Sequence, residues 1–493
     1  MDLHTRSRLA LVTAVAAVLG APALASATDI HGVKEVAAEL PQVFVLLRRP
    51  ALDNLGQPIP PDEVTPLGND GEFAAIAAYL DTGASGILIS SGTAHPTFGV
   101  DVHNETIGGE PVKFLDVGTT ETGAFHVSEL LDFEIAAYPG PPVDLSFDDM
   151  PAINDTFEYL GRLRTQLSPQ PDSIDDLTTT DLVGMPAMVG KVTVLDARRY
   201  NRPFDLEDPD SPFPVIRTHI FQPGTPYNPA ADDYAAEVVP GIPTTDRTVR
   251  LTFESFDQYS SVIPDSPTTP RPITAHNPFI GASPLNPNDP NAPPGVTLSR
   301  DAGPNGPPVE GNFLLDTGAQ LSFMSSDKAA QLGITGINPA TGEEEFNDDG
   351  FQILYDIATG QPVPIIGASI QGASGDAVPV SGFQIDSISI PTAEGDPLVF
   401  HDAWFLLIDV VLDDGTNPPV TLDGAVGSNL LLPSFELATF DLVGGAFDWV
   451  VFDEPNGELR FAFAPYVPEP GTFGVAVFAA AGALLGRRRR VAA

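Results

Sequence analysis

The chain has 493 residues, enough for two or three domains, and carries 66 acidic against 23 basic side chains, a formal charge of −43. That balance excludes nucleic-acid binding, which needs a basic footprint, and it suits a soluble, monomeric protein with a solvated acidic surface. Cysteine is absent, which removes disulfides, Cys-based metal sites and thiol catalysis.

The first recognisable element is a secretory signal over residues 1–27. Arg6 and Arg8 precede an apolar run from Leu9 to Leu19, and Ala23-Leu24-Ala25 and Ala25-Ser26-Ala27 both offer A-x-A cleavage sites. Cleavage is expected after Ala27. The apolar run is too short to span a bilayer comfortably.

Beyond it, short apolar runs are broken by Pro, Gly, Asn and Asp. Val43–Leu47, Val249–Phe253 and Trp404–Leu412 are examples, and they read as strands. Helical periodicity is scarce; Ser326–Leu332 reads as a short helix with a Ser cap. Asp414-Gly415 and Asn456-Gly457 sit between apolar runs, as hairpin turns do. The expectation is a mostly-β chain with two sheet cores.

Pro and Gly crowd residues 201–245 and 261–310, the second stretch holding 13 prolines in 50 positions. That density is too high for sheet interior or helix. The first stretch is expected to link two lobes, 28–200 and 246–466. The second is expected to be an exposed insertion inside the second lobe.

The chemistry lies in a repeat. Leu80-Asp81-Thr82-Gly83-Ala84 recurs as Leu315-Asp316-Thr317-Gly318-Ala319, 235 residues later. At the same offset Ser90-Ser91 recurs as Ser325-Ser326, and Ala94 as Ala329. A lone D-T-G arises by chance in about one chain in ten of this length; two copies sharing flanks and offset do not. Gly lets the backbone turn sharply and brings its N–H to the carboxylate. The Thr hydroxyl is short and stiff, suited to bonding neighbouring backbone. Two such turns face to face share one proton between their carboxylates, so one acts as base and the other as acid. A water held between them can attack an amide carbonyl without a metal or a covalent intermediate.

On these residues the chain resembles a two-lobed aspartic peptidase of the pepsin and retropepsin type. The resemblance implies a mostly-β bilobal fold with the site in the cleft between related lobes. It implies that Asp81 and Asp316 form a catalytic dyad supported by Thr82, Gly83, Thr317 and Gly318. The family's apolar-apolar-Gly crossing segments correspond to Leu182-Val183-Gly184 and Ala425-Val426-Gly427; Gly184 follows Asp81 by 103 residues and Gly427 follows Asp316 by 111. Each is followed by an apolar run ending in Asp, Val192–Asp196 and Leu437–Asp441. The flap candidate is Phe114–Phe125, where matching Thr122-Gly123 to the family pair puts Asp116 in place of the flap Tyr of pepsins. Retropepsin-like members do without that Tyr. The partner implied is a peptide or protein substrate lying extended in the cleft, with no cofactor. The competing reading is a surface binding or matrix protein that keeps the peptidase fold without turnover.

The C-terminus carries a second signal, over residues 467–493. Val467-Pro468-Glu469-Pro470-Gly471-Thr472 leads into an apolar segment, Phe473 to Leu485, then Gly486 and four arginines, Arg487 to Arg490. Physically this is a short membrane segment with a positive stop. It resembles the PEP-CTERM sorting tail of Gram-negative bacteria, which an exosortase recognises and removes. The resemblance implies transient inner-membrane contact through residues 473–485 and delivery to the cell surface or extracellular matrix.

Other constellations fail. There is no H-E-x-x-H pair and no G-x-S-x-G turn. Asn347-Asp348-Asp349-Gly350 and Asp413-Asp414-Gly415 complete no Ca²⁺ loop and read as turns. No metal site is expected.

Overall fold

The structure is a computed structural model. It describes residues 28–68, 75–94, 99–100, 106–107, 110–111, 113–117, 122–137, 157–168, 180–202, 214–234, 239–254, 276–300, 308–371, 377–412, 419–437, 439 and 442–464. The expected signal and the sorting tail lie outside them.

Extended runs rich in Val, Ile, Phe and Leu become strands because both faces are covered; the five central residues of Gln42–Arg48 are all buried. In chain order the strands that build the two large sheets, with β2 and β24 beside them, begin with β1 (Thr28–Ile30), β2 (Val36–Ala37), β3 (Gln42–Arg48), β4 (Ile76–Leu80) and β5 (Ile87–Ile89). There follow β6 (Lys113–Val117), β7 (Thr122–Val127), β8 (Leu131–Ala137), β9 (Glu158–Leu163), β10 (Gln166–Leu167) and β11 (Leu182–Val183). Next come β12 (Val192–Asp196), β13 (Arg217–Phe221), β14 (Arg247–Glu254), β15 (Asn277–Ile280), β16 (Val296–Ser299), β17 (Val309–Gly311), β18 (Phe313–Asp316) and β19 (Phe323–Met324). The last are β20 (Ile366–Gln371), β21 (Ala377–Ile390), β22 (Leu398–Leu407), β23 (Gly424–Gly427), β24 (Ser434–Phe435), β25 (Phe447–Asp453) and β26 (Glu458–Phe463). Three short helices matter to the site: α1 (Ser91–Thr93), α2 (Ser326–Gln331) and α3 (Ser428–Leu431).

One nine-stranded sheet has the order β9-β8-β3-β4-β11-β5-β10-β7-β6. A fifteen-stranded sheet runs β13-β12-β25-β26-β14-β15-β18-β23-β19-β22-β21-β16-β17, with β1 added to β22 and β20 to β21. The chain is therefore mostly β and built as two halves, and each half carries one copy of the repeat between consecutive strands. The hairpin expected at Phe114–Phe125 forms as β6 and β7, with Asp116 opposite Gly123; its turn, 118–121, is outside the described residues. Asn456-Gly457 does close the β25–β26 hairpin, Gly457 taking a left-handed φ of 63°.

Several boundaries differ from the sequence reading. The Pro-rich stretch 261–310 is not wholly an exposed insertion: Phe279, Ile280, Val296 and Leu298 are buried, and β15 lies between β14 and β18. Pro278 is tolerated there because the β15–β18 ladder begins only at Phe279. The stretch 201–245 contains β13, which pairs with β12. β1 and β2, assigned by sequence to the first lobe, pair with β22 and β24 of the second half. Of the two apolar runs that follow the crossing glycines, Val192–Asp196 forms β12, which pairs with β25, while in Leu437–Asp441 the described residues Leu437 and Thr439 lie in turns. Among the described residues no helix is long and apolar enough to cross a membrane; the apolar segment 473–485 is not among them.

Candidate functional site

Each repeat copy is a turn held between three strands. β4 leads into Asp81 and β5 leaves the turn. β11 lies between them, parallel to β4 (Val183 beside Leu80) and antiparallel to β5 (Val183 beside Ile87). The second half repeats this: β23 lies parallel to β18, with Gly427 beside Asp316, and antiparallel to β19. Leu182-Val183 and Ala425-Val426-Gly427 thus each run between the two strands that flank a turn. Gly184 and Gly427 are required by contact. A Cβ on Gly184 would lie 2.1 Å from the Gly86 carbonyl oxygen and 2.4 Å from that of Ala84; one on Gly427 would lie 2.7 Å from the Leu321 carbonyl carbon. The residue after each crossing Gly ties back to its turn, the Met185 N–H donating to Ala84 O at 2.9 Å and the Ser428 N–H to Ala319 O at 2.8 Å.

The two turns face one another. A Cβ on Gly83 would fall 2.7 Å from the Asp316 Cγ, and one on Gly318 would fall 2.3 Å from the Asp81 Cγ. Each Gly is therefore demanded by the opposite carboxylate. Thr82 Oγ1 donates to Leu315 O at 2.7 Å and accepts from the Thr317 N–H at 3.0 Å. Thr317 Oγ1 reciprocates, donating to Leu80 O at 2.8 Å and accepting from the Thr82 N–H at 3.1 Å. Both threonines are buried, so these four bonds lock the halves together in a nearly two-fold manner.

The carboxyls are held the same way. Asp81 Oδ1 accepts from the N–H groups of Gly83 and Ala84 at 2.7 and 3.2 Å. Asp316 Oδ1 accepts from those of Gly318 and Ala319, both at 3.0 Å. The two carboxyls hydrogen-bond each other. Solvent still touches both half-buried residues, yet their carboxyl ends are enclosed. Burial raises both above the ordinary carboxylate range; for Asp316 the neighbouring Asp81 charge adds to this, and for Asp81 the hydrogen bond from Asp316 and the amide N–H groups oppose it. A pair so close holds one proton in common.

Sequence reasoning missed the shell around this pair. Asp181, just before the first crossing segment, accepts from the Ser90 N–H at 2.7 Å and from Thr93 Oγ1 at 2.6 Å. In the second half Asn429 Oδ1 accepts from the N–H and hydroxyl of Ser322, and Ser428 Oγ donates to Thr317 O. The repeated Ser-Ser pairs were a usable signal. Ser90 caps α1 and Ser325 caps α2, each side chain accepting an N–H three residues on. Asn277 carried no such signal, and its amide donates to the carbonyls of Thr82 and Gly83. Among the described residues no group of three or more metal-ligating side chains is arranged to hold an ion. Asn347 Oδ1 instead accepts from the N–H groups of Asp349 and Phe351, making a turn.

No family model matches the chain, and no curated protein matches its sequence. Solved structures with a similar arrangement include an aspartic proteinase from Irpex lacteus (11% identity, 89% of this chain and 98% of that one, TM-score 0.32). They also include Basic 7S globulin from soybean (10% identity, 86% and 95%, TM-score 0.33) and a protein titled edgp (10% identity, 86% and 95%, TM-score 0.30).

Proposed function

We propose that the chain is an aspartic endopeptidase whose dyad is Asp81 and Asp316. The observation that carries this is the mutual clamp: two D-T-G turns from different halves, their carboxyls in hydrogen-bond contact and their threonines bonded reciprocally across the junction. In the working state one carboxylate takes a proton from a water held between the pair. The water oxygen attacks the peptide carbonyl while the protonated partner donates to the carbonyl oxygen. The proton taken from water then passes to the leaving nitrogen while a hydroxyl of the diol intermediate returns a proton to the partner, and the C–N bond breaks to give the acid and the amine with the pair again holding one proton. Thr82, Gly83, Thr317 and Gly318 keep the geometry fixed through these transfers, and the substrate lies extended as an added strand. The alternative is a binding protein that keeps the fold without turnover, favoured by Asp116 standing opposite Gly123 in the β6–β7 hairpin where pepsins carry Tyr.

Replacement of Asp81 or Asp316 by Asn separates these readings. Because the dyad works as a unit, each single change is expected to abolish cleavage of casein nearly as completely as the double change. Pepstatin-type inhibitors are expected to bind the unaltered protein. Normal cleavage by the Asp81→Asn protein would end the mechanism; absence of cleavage by the unaltered protein favours the binding reading.

We also propose export with loss of both ends, the tail to an exosortase-type enzyme. Thr28, the residue after the expected signal cleavage, opens β1, and its N–H donates to Pro397 O at 2.9 Å, which suits a seated mature terminus. Mass spectrometry of protein from the native cell surface is expected to find Thr28 first and no tail beyond the region of Val467. Recovery of a peptide containing Leu485 would refute the processing.

A further inference from the structure

The two turns are not held identically. In the second, the Thr317 carbonyl accepts from Ser428 Oγ at 2.9 Å. The corresponding position in the first half, directly after Gly184, is Met185, whose thioether has no proton to donate and which is fully buried. A donor arrives instead from the other half. Asn277 opens β15, is 3% exposed, and its Nδ2 donates to Thr82 O at 3.2 Å and to Gly83 O at 2.8 Å.

These two carbonyls are informative ones. Thr82 C=O shares a peptide plane with the Gly83 N–H, and Gly83 C=O shares one with the Ala84 N–H. Those are the two N–H groups that donate to Asp81 Oδ1. A donor on the carbonyl fixes the plane and polarises the N–H at its other end, since hydrogen-bonded amides reinforce one another in a low-dielectric interior. In the second turn Ser428 acts on one such plane only, that of Thr317 C=O and the Gly318 N–H.

We propose that Asn277 is a positioning residue for the reaction proposed above: by holding both peptide planes of the first turn it makes Asp81 the member of the pair that carries the negative charge in the free protein. It touches no reacting atom and acts through the Gly83 and Ala84 N–H groups. The inference rests on the dyad reading, but its consequence is readable without turnover.

The test is Asn277→Leu, which keeps the volume and removes the donor, with Asn277→Ser as the milder replacement if the Leu protein fails to fold. The full chain is assayed for the pH dependence of kcat and kcat/KM, with urea unfolding as a check on integrity. Weaker N–H donation to Asp81 raises the first ionisation of the pair. The acid limb of kcat/KM is expected to move up by about half a pH unit or more, and kcat to fall roughly tenfold with KM within about twofold. Adding Met185→Ser returns a hydroxyl to the position that Ser428 occupies in the other half and is expected to restore part of the limb. A folded Asn277 variant with unmoved pH limbs, or with a change in KM alone, overturns the proposal. If the unaltered protein cleaves nothing, carboxyl titration followed by ¹³C NMR decides. The lower titration of the pair, identified by its loss in Asp81→Asn, is expected at higher pH in the Asn277 variant, and an unshifted titration overturns the proposal equally.

Discussion

Alanine follows Gly in both turns, at Ala84 and Ala319, and each contributes to its Asp only a backbone N–H. A Ser or Thr there would add a hydroxyl able to donate to the charged carboxylate and lower its pKa. Without that donor, burial of both carboxyls and the Asp81 charge beside Asp316 keep the shared proton bound to higher pH. The peptidase activity proposed above, which needs one proton on the pair, is therefore expected to extend to less acidic pH. The double variant Ala84→Ser, Ala319→Ser is expected to move the basic limb of the pH–rate profile toward acid by about half a pH unit or more, and an unchanged profile would show that these positions do not set the titration. At this scale the sequence was most legible where chemistry repeats. Two identical pentapeptides revealed Asp81 and Asp316, because each turn meets the same demand from the opposite carboxylate. Asn277 was invisible because its partners are main-chain carbonyls 194 and 195 residues away, and any residue type can present those.

Among the elements, the crossing segments leave the least room for change. Gly184 sits against two backbone oxygens of the first turn, at 2.1 and 2.4 Å from where a Cβ would stand, and main-chain oxygens of a turn anchored between paired strands cannot swing aside as a side chain would. Gly184→Ala is expected to destabilise the protein by about 3 kcal/mol and to lower activity with it, read as a drop in the urea midpoint. A variant as stable as the parent would mean that β11 can shift relative to the first turn. The positions of β11 and β23 were foreseen because apolar-apolar-Gly recurs at a similar distance from each Asp. β15 and β16 were not foreseen, since local composition between residues 261 and 310 argues for a loop. Pro-rich composition forbids helices and sheet centres only where an N–H is needed. Pro278 sits before the β18 ladder begins, and the apolar pair Phe279-Ile280 then pairs normally. The shift of β1 and β2 onto the second half was unreadable for a related reason: strand pairing across hundreds of residues leaves no local pattern.

Across the whole molecule, one layer of strands joins the halves: β12 and β13 follow the first sheet in sequence but pair into the larger one beside β25, β26 and β14. Buried charge stiffens this layer, with Asp196 bonding both Arg198 and Arg217. Glu39, between β2 and β3, ties the approach to the first sheet into it, accepting from the Ile216 N–H at 2.8 Å and from the Tyr200 hydroxyl at 3.2 Å. Part of the Glu39 residue meets solvent, but its carboxyl is enclosed, and burial raises its pKa from 4.5 to about 7 against the opposing pull of those two bonds. His219 on β13, its ring 4.0 Å from that of Phe221, is pushed the other way by burial, from 6.5 to about 4. The signs follow from linkage. Glu39 prefers to be neutral in the fold, so its contribution is complete below pH 4.5 and is lost as pH rises to about 7. His219 also prefers to be neutral, so its contribution is complete above pH 6.5 and is lost as pH falls toward 4. Between those limits the two slopes oppose each other. Allowing for partial exposure, each amounts to about 2 kcal/mol. Glu39→Gln keeps an acceptor for Ile216 and a polar partner for Tyr200 without the charge. That variant is expected to match the parent near pH 4 and to exceed it by about 2 kcal/mol at pH 8, whereas His219→Phe is expected to gain only on the acid side. Urea unfolding of the three proteins at pH 4, 6 and 8 measures both slopes, and equal stability of parent and Glu39→Gln at pH 8 would mean that the junction ionises Glu39 at no cost to the fold.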